Sequence, residues 1–184
     1  LYESAASTNS VKQRYIWGVD YGVYKSGGSD YNTISLSTMI GNAQSGLYVT
    51  GADSNTVTQS YMWGSQAGAQ LWTGSDYNTI SLSTMIGAAN WGFYALGADF
   101  NAVTGSYMWG GQYGAWLNTD ARFSLISLST MSSNSAGNPA LYITGATSST
   151  IQSSYIRGST AALISGAIDT KINSSVLVAT NTTG

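Results

Sequence analysis

The chain has no cysteine and no histidine among its 184 residues. The first absence excludes disulfides and thiolate metal sites and leaves the redox compartment open. The second excludes His-dependent catalytic triads and the usual zinc sites. Charge is scarce too: 8% of residues are charged, against a typical ~25%. Solubility must therefore rest on Ser, Thr, Asn, Gln and Gly. The net charge is −2, and the basic residues Lys12, Arg14, Lys25, Arg122, Arg157 and Lys171 are scattered. No basic patch exists to neutralise phosphates, which argues against nucleic acid as a partner. No run of ~18 apolar residues occurs, so no membrane span is expected. No signal peptide is evident and the chain starts at Leu1, so it reads as a fragment, a processed form or part of something longer.

What is present is a repeat. Asn9, Asn32, Asn55, Asn78 and Asn101 follow one another at intervals of 23 residues, and each opens the same phrase, as in NTVTQSYMWG from Asn55. Weaker copies open at Ser124, Ser149 and Thr170, after intervals of 23, 25 and 21 residues. A fixed period through almost the whole chain means one continuous repeat architecture, residues 1–184, rather than separate domains.

Two positions into the phrase stand Val11, Ile34, Val57, Ile80, Val103, Ile126, Ile151 and Ile172, all β-branched and suited to strands. Seven positions in stand Ile16, Met39, Met62, Met85, Met108, Met131, Ile156 and Leu177, all apolar. Two inward columns five residues apart do not fit one straight strand of period two, so a bend must separate them. Just after that bend comes a column of Ser37, Ser60, Ser83, Ser106, Ser129, Ser154 and Ser175, broken only by Arg14. Inward hydroxyls need partners, and a structural serine ladder, bonded to itself and to the bend backbone, supplies them.

A second strand region follows in each repeat, as in SGLYVTGAD at 45–53, where Leu47 and Val49 alternate with Tyr48. Gly51, Gly74, Gly97 and Gly145 then mark a turn. Asp30, Asp53, Asp76 and Asp99 recur beside it and are expected to cap it through their side chains. A calcium ladder is the competing reading, but one carboxylate per rung is thin for an ion that takes six to eight oxygens. A looser corner at 42–45, 65–68 and 133–138 completes the rung, and the two-residue insertion falls there, next to Pro139.

The stretch SGLYVTGADSNTVTQSYMWGSQAGAQLW resembles tandem parallel β-helix repeats of the pectate-lyase-like superfamily. Asn55, Thr56 and Val57 match that superfamily's Asn-Thr-Ile element, Ser60 stands at its usual Asn-ladder position, and Met62 takes its second Ile position. The resemblance covers about residues 9–178. It implies an all-β, right-handed parallel β-helix of about eight 23-residue rungs with three short strands each, and says little about activity. A β-propeller with 46-residue blades is the competitor. It gives no reason for adjacent half-blades to share inward columns.

Six and eight positions into the phrase, side chains should point outward. Tyr15/Trp17, Tyr61/Trp63 and Tyr107/Trp109 alternate with Thr38/Ile40, Thr84/Ile86 and Thr130/Ser132, and Tyr155/Arg157 follows. Like rungs would recur every ~9.6 Å, twice the strand spacing. The candidate binding or association face is therefore Tyr15, Trp17, Tyr61, Trp63, Tyr107, Trp109 and Tyr155. An exposed apolar face usually marks an interface, which favours self-association, lateral or end to end. A polysaccharide stacking on the rings is the alternative, with ice binding a third.

Catalysis within these residues is not expected. Of the eight acidic residues, Glu3, Asp20, Asp30, Asp53, Asp76, Asp99, Asp120 and Asp169, four are turn repeats rather than a facing pair. No metal or other cofactor is expected. The sequence reads as a non-catalytic extracellular or cell-surface rod or stalk, adhesive or self-associating. A carbohydrate-binding module is the runner-up, and a non-catalytic part of a polysaccharide-active enzyme is a further possibility. Neither end shows an evident cap, and open solenoid ends invite stacking.

Overall fold

The structure, a computed structural model, describes residues 1–180. The last four residues of the expected array lie outside the described residues. The strands form three sheets of eight, and every pairing is parallel. Strand n of each sheet pairs only with its equivalents one rung before and after, as in a right-handed β-helix and not in a propeller blade. One rung runs Ser45–Thr50 in sheet 1, Thr56–Thr58 in sheet 2 and Tyr61–Gly64 in sheet 3. No helix long and apolar enough to cross a membrane occurs among the described residues.

The β-branched column lies in sheet 2, paired in register from Val11 to Ile172. The Met column lies in sheet 3, where Met39, Met62, Met85, Met108 and Met131 are each 0% exposed. From sheet 1 the column of Leu47, Phe93 and Leu141 fills the core. All three columns are inward because each strand's side chains alternate and the registers hold without slip.

Sheets 1 and 3 meet at a corner where the backbones almost touch. A Cβ on Gly46 would lie 2.6 Å from the Trp63 nitrogen, and one on Gly41 would collide with the Ser45 carbonyl. Only glycine fits such an approach.

The 46-residue pattern is also built into connection lengths. Two-residue corners at 19–20, 65–66 and 111–112 alternate with three-residue corners at 42–44 and 88–90. The turn from sheet 1 to sheet 2 compensates. It spans 27–32, 73–78 and 119–124 after the short corners and 51–55 and 97–101 after the long ones. The rung stays at 23 residues while the sheet 1 strand starts one residue earlier or later.

The chain's first rung differs in its core. Lys25 pairs with Val49 in register, an inward position, and Glu3 pairs with Lys25. The two form a buried ion pair, and desolvation lowers the Lys25 pKa despite the Glu3 partner. The lumen beside the first rung thus holds a charged pair that the sequence reading, which saw no cap, did not anticipate.

Met85→Ala should cost ~2–5 kcal/mol, the range for large-to-small core changes. Thr84→Ala, on the half-exposed outer side of the same strand, should cost well under ~1 kcal/mol. Denaturant unfolding of the two variants checks the order, and the reverse order would mean that the strand faces are exchanged.

Candidate functional site

Two features could carry function: the ladders at the bends and the aromatic surfaces. Each bend contains a left-handed residue. Between sheets 2 and 3 it is Gln13, Leu36, Gln59, Leu82, Gly105, Leu128, Ser153 or Ser174, all at positive φ. That geometry turns two successive N–H groups toward the following rung. The Leu36 N–H finds the Thr58 carbonyl at 3.2 Å. The Ser37 N–H meets no carbonyl there and donates instead to Ser60 Oγ at 3.2 Å.

The same bond links every step. The Arg14 N–H donates to Ser37 Oγ, and the N–H groups of Ser60, Ser83, Ser106, Ser129 and Ser154 donate to Ser83, Ser106, Ser129, Ser154 and Ser175. Each hydroxyl in turn donates to the carbonyl two residues earlier in its own rung, Ser83 Oγ to Ser81 at 2.7 Å. The hydroxyls do not bond one another, as the sequence reading had allowed. They act as acceptors for backbone N–H groups.

A second ladder, not singled out from the sequence, follows the opening asparagines. The N–H groups of Asn9, Asn32, Asn55 and Asn78 donate to Oδ1 of the asparagine one rung on, at 2.7–3.0 Å. Asn32, Asn55, Asn78 and Asn101 are buried. Each follows a left-handed residue, Tyr31, Ser54, Tyr77 and Phe100. The signal was the strict recurrence of Asn itself. The resemblance drew attention to Ser60 as the ladder position instead. At Ser124 the side chain shortens, and Asn101 Nδ2 has no partner among the described residues.

The aspartates run in the opposite sense. The N–H groups of Asp53, Asp76 and Asp99 donate to Oδ1 of the aspartate one rung before, at 2.7–2.8 Å. Each carboxylate therefore caps the next rung's turn and not its own, which corrects the expectation. Arg122 closes the row with its N–H on Asp99 Oδ1 and its guanidinium 3.1 Å from Asp99 Oδ2. Burial pushes the Asp76 carboxyl up, against the lowering effect of the Asp99 N–H.

The outer face of sheet 3 carries Tyr15, Trp17, Tyr61, Trp63, Tyr107, Trp109 and Tyr155 in register with Thr and Ile neighbours. Tyr15 is 73% and Trp17 56% exposed, and Tyr61, Tyr107 and Tyr155 are exposed. Trp63 and Trp109 are half-buried. Among the described residues, none of these rings stacks on another. Beside them runs a row that sequence reasoning missed, the left-handed Leu36, Leu82 and Leu128, all exposed. Arg157 is the one charged side chain in the outward columns.

Sheet 1 carries a denser array, also missed. Tyr2, Tyr24, Tyr48, Trp72, Tyr94, Trp116 and Tyr142 follow one another with ring centroids 5.0–6.1 Å apart. Tyr21, Trp91 and Tyr113 flank them. Gln70 occupies the strand position of the missing ring, between Tyr48 and Tyr94. Its Oε1 accepts the Trp72 indole N–H at 2.7 Å, which holds that ring across the gap. The substitution of Gln70 and the two-residue displacement of Trp72 hid this column from a reading at fixed period. Tyr2, Tyr24 and Tyr48 stack nearly parallel, with 12° between successive ring planes. Their faces cover one another.

The first 122 residues match the family model described as "Periplasmic copper-binding protein (NosD)". That is well over half of the chain, which therefore belongs to this β-helix family. The family is described as periplasmic, which is consistent with the expected extracellular or cell-surface location. No curated protein matches the chain.

Ser83→Val should destabilise the array by ~1–3 kcal/mol, because the Ser60 N–H loses its acceptor. Ser81→Val should cost less, since the half-buried Ser81 hydroxyl donates only to Thr58 Oγ1. Equal melting temperatures would remove the ladder's role.

Burial and the neighbouring Tyr21 and Tyr24 push the Tyr48 phenol up to about 12 from 10.0. A raised folded pKa means stability that is full below pH 10 and lost as pH rises from there toward 12. Tyr48→Phe should therefore lose stability less steeply than wild type across pH 10–12 in denaturant midpoints. Identical slopes would show that this phenol is not sheltered.

Proposed function

We propose that the chain is a non-catalytic structural rod that associates with a second copy through the outer face of sheet 3. One observation carries this reading. The face is aromatic and nearly free of charge, with the exposed leucine row widening it. Interface cores have this composition, rich in Tyr and Trp and depleted in charge, and a contiguous apolar patch on a soluble protein marks such a surface. The aromatic array of sheet 1 fits the role less well, because its rings are already packed on one another.

Copper does not fit the side chains present. Cu(I) favours Cys and Met sulfur, and imidazole suits copper generally. This chain has neither Cys nor His. Its five methionines are sealed in the core, and no three His, Cys, Asp or Glu residues converge among the described residues. The rod reading therefore involves no metal.

A polysaccharide lying on the same rings is the second reading, favoured by their even recurrence along the axis. Changing Trp63 and Trp109 together to Ser should abolish dimers or larger assemblies in analytical ultracentrifugation while the circular dichroism of the β-helix is kept. Loss of retention on an insoluble polysaccharide with no change in oligomeric state would favour the second reading. A variant that still assembles would sink the association face.

A further inference from the structure

The corner from sheet 3 to sheet 1 lengthens beyond three residues once among the described residues, between Ser133 and Pro139. The preceding rungs end sheet 3 on Gly18, Gly41, Gly64, Gly87 and Gly110, which pair in one column that continues to Ser133. At those glycines a Cβ would strike the carbonyl that opens the next sheet 1 strand. At the sixth rung the connection lengthens to 134–138, the strand reopens at Pro139, and the column holds Ser133. The longer corner leaves a cavity of about 340 Å³.

The cavity is lined mainly by polar residues, among them Ser132, Asn134, Ser135, Ser159 and Arg157. Ser133 is 6% exposed, and its Oγ has no hydrogen-bond partner among the described residues. That hydroxyl is buried on the inward side of the strand with Met131, so the cavity's accessible lining is supplied by its neighbours. Arg157 replaces the Trp or Ile of this outward column. It forms no salt bridge among the described residues, where the ion pairs are Lys25 with Glu3 and Arg122 with Asp99. A free guanidinium fork is matched by a carboxylate, which it can hold through two parallel hydrogen bonds. The surrounding hydroxyls suit further hydroxyls, and the volume falls in the range of small-molecule sites.

The geometry points to a binding site for a small hydroxylated carboxylate. Its carboxylate lies on Arg157, and its hydroxyls meet the polar side chains of Ser132, Asn134 and Ser135 beside it. The site goes beyond the association face, and the Trp63 and Trp109 substitutions leave its lining unchanged.

Gluconate, acetate and the neutral polyol sorbitol separate the parts of the claim. In NMR titrations, gluconate should shift the amides of residues 132–135 and 157–159 at lower concentration than either other probe. Arg157→Gln, at an exposed position, should weaken gluconate binding by about tenfold or more while the other amides keep their positions. Asn134→Ala, in the exposed part of the lining, should weaken it as well. Arg14→Gln, an exposed arginine in the first rung, should change nothing. The site is overturned by absent shifts at tens of millimolar gluconate or by shifts that persist in Arg157→Gln. It is also overturned by gluconate acting no better than sorbitol or acetate, since hydroxyls or charge alone would then suffice.

Discussion

A chain that coils on itself every 23 residues must bend twice per turn without leaving backbone N–H groups unpaired. At each bend a left-handed residue directs two successive N–H groups toward the same neighbouring rung, as at Leu36 and Ser37. A parallel ladder offers one carbonyl there, so the second donor needs a side-chain oxygen. Ser60 supplies it at one bend and Asn55 at the other. A non-glycine residue at positive φ costs on the order of 1 kcal/mol, and an unpaired buried N–H costs ~1–3 kcal/mol more. The ladders remove the second cost at the rungs they link, which lets Leu, Gln, Tyr and Phe occupy positions that otherwise favour glycine.

The same bonds explain why the repeat is so strict. Each ladder side chain serves the N–H of an adjacent rung, so its position must match across rungs to within a residue. Connections elsewhere can vary as long as their lengths compensate within a rung or between neighbouring rungs. The corners and turns trade one residue back and forth in alternate rungs, and the ladder columns stay in line. When the corner at 134–138 grows, the next corner shrinks to Ser159 alone, and the intervals of 25 and 21 residues restore the average. The asparagine ladder ends where Ser124 follows Asn101, and Asn101 Nδ2 has no partner among the described residues.

The solenoid, its three strands per rung and its inward columns were legible because they rest on side chains that recur at fixed offsets. Val57 and Met62 could not both be inward on a straight strand, and that conflict alone located the bend. The direction of the hydrogen bonds was not legible. Asp53 looks like a cap for its own turn, yet its carboxylate faces the N–H of Asp76, because direction depends on backbone orientation that residue type does not encode. The sheet 1 aromatic array escaped for a different reason. Its starting position shifts by one residue in alternate rungs, and Trp72 reaches its place from two residues beyond Gln70. Likewise Lys25 sits inward only because its register with Val49 places it there, while its partner Glu3 lies 22 residues away.

The two surfaces of interest arise from opposite properties of the chain. The sheet 3 face is a product of regularity: identical rungs repeat a Tyr–Trp row until the rod has a continuous apolar side, and Trp109 is its last indole. This regular part is also the stretch that matches the family model, residues 1–122. The corner cavity is a product of irregularity. A lengthened connection relieves the steric demand for glycine, admits Ser133, and coincides with the replacement of the outward Trp or Ile by Arg157. In a repeat protein a feature shared by every rung is explained first by the needs of the fold. A feature confined to one rung has no such explanation, and chemistry specific to this chain is better sought there.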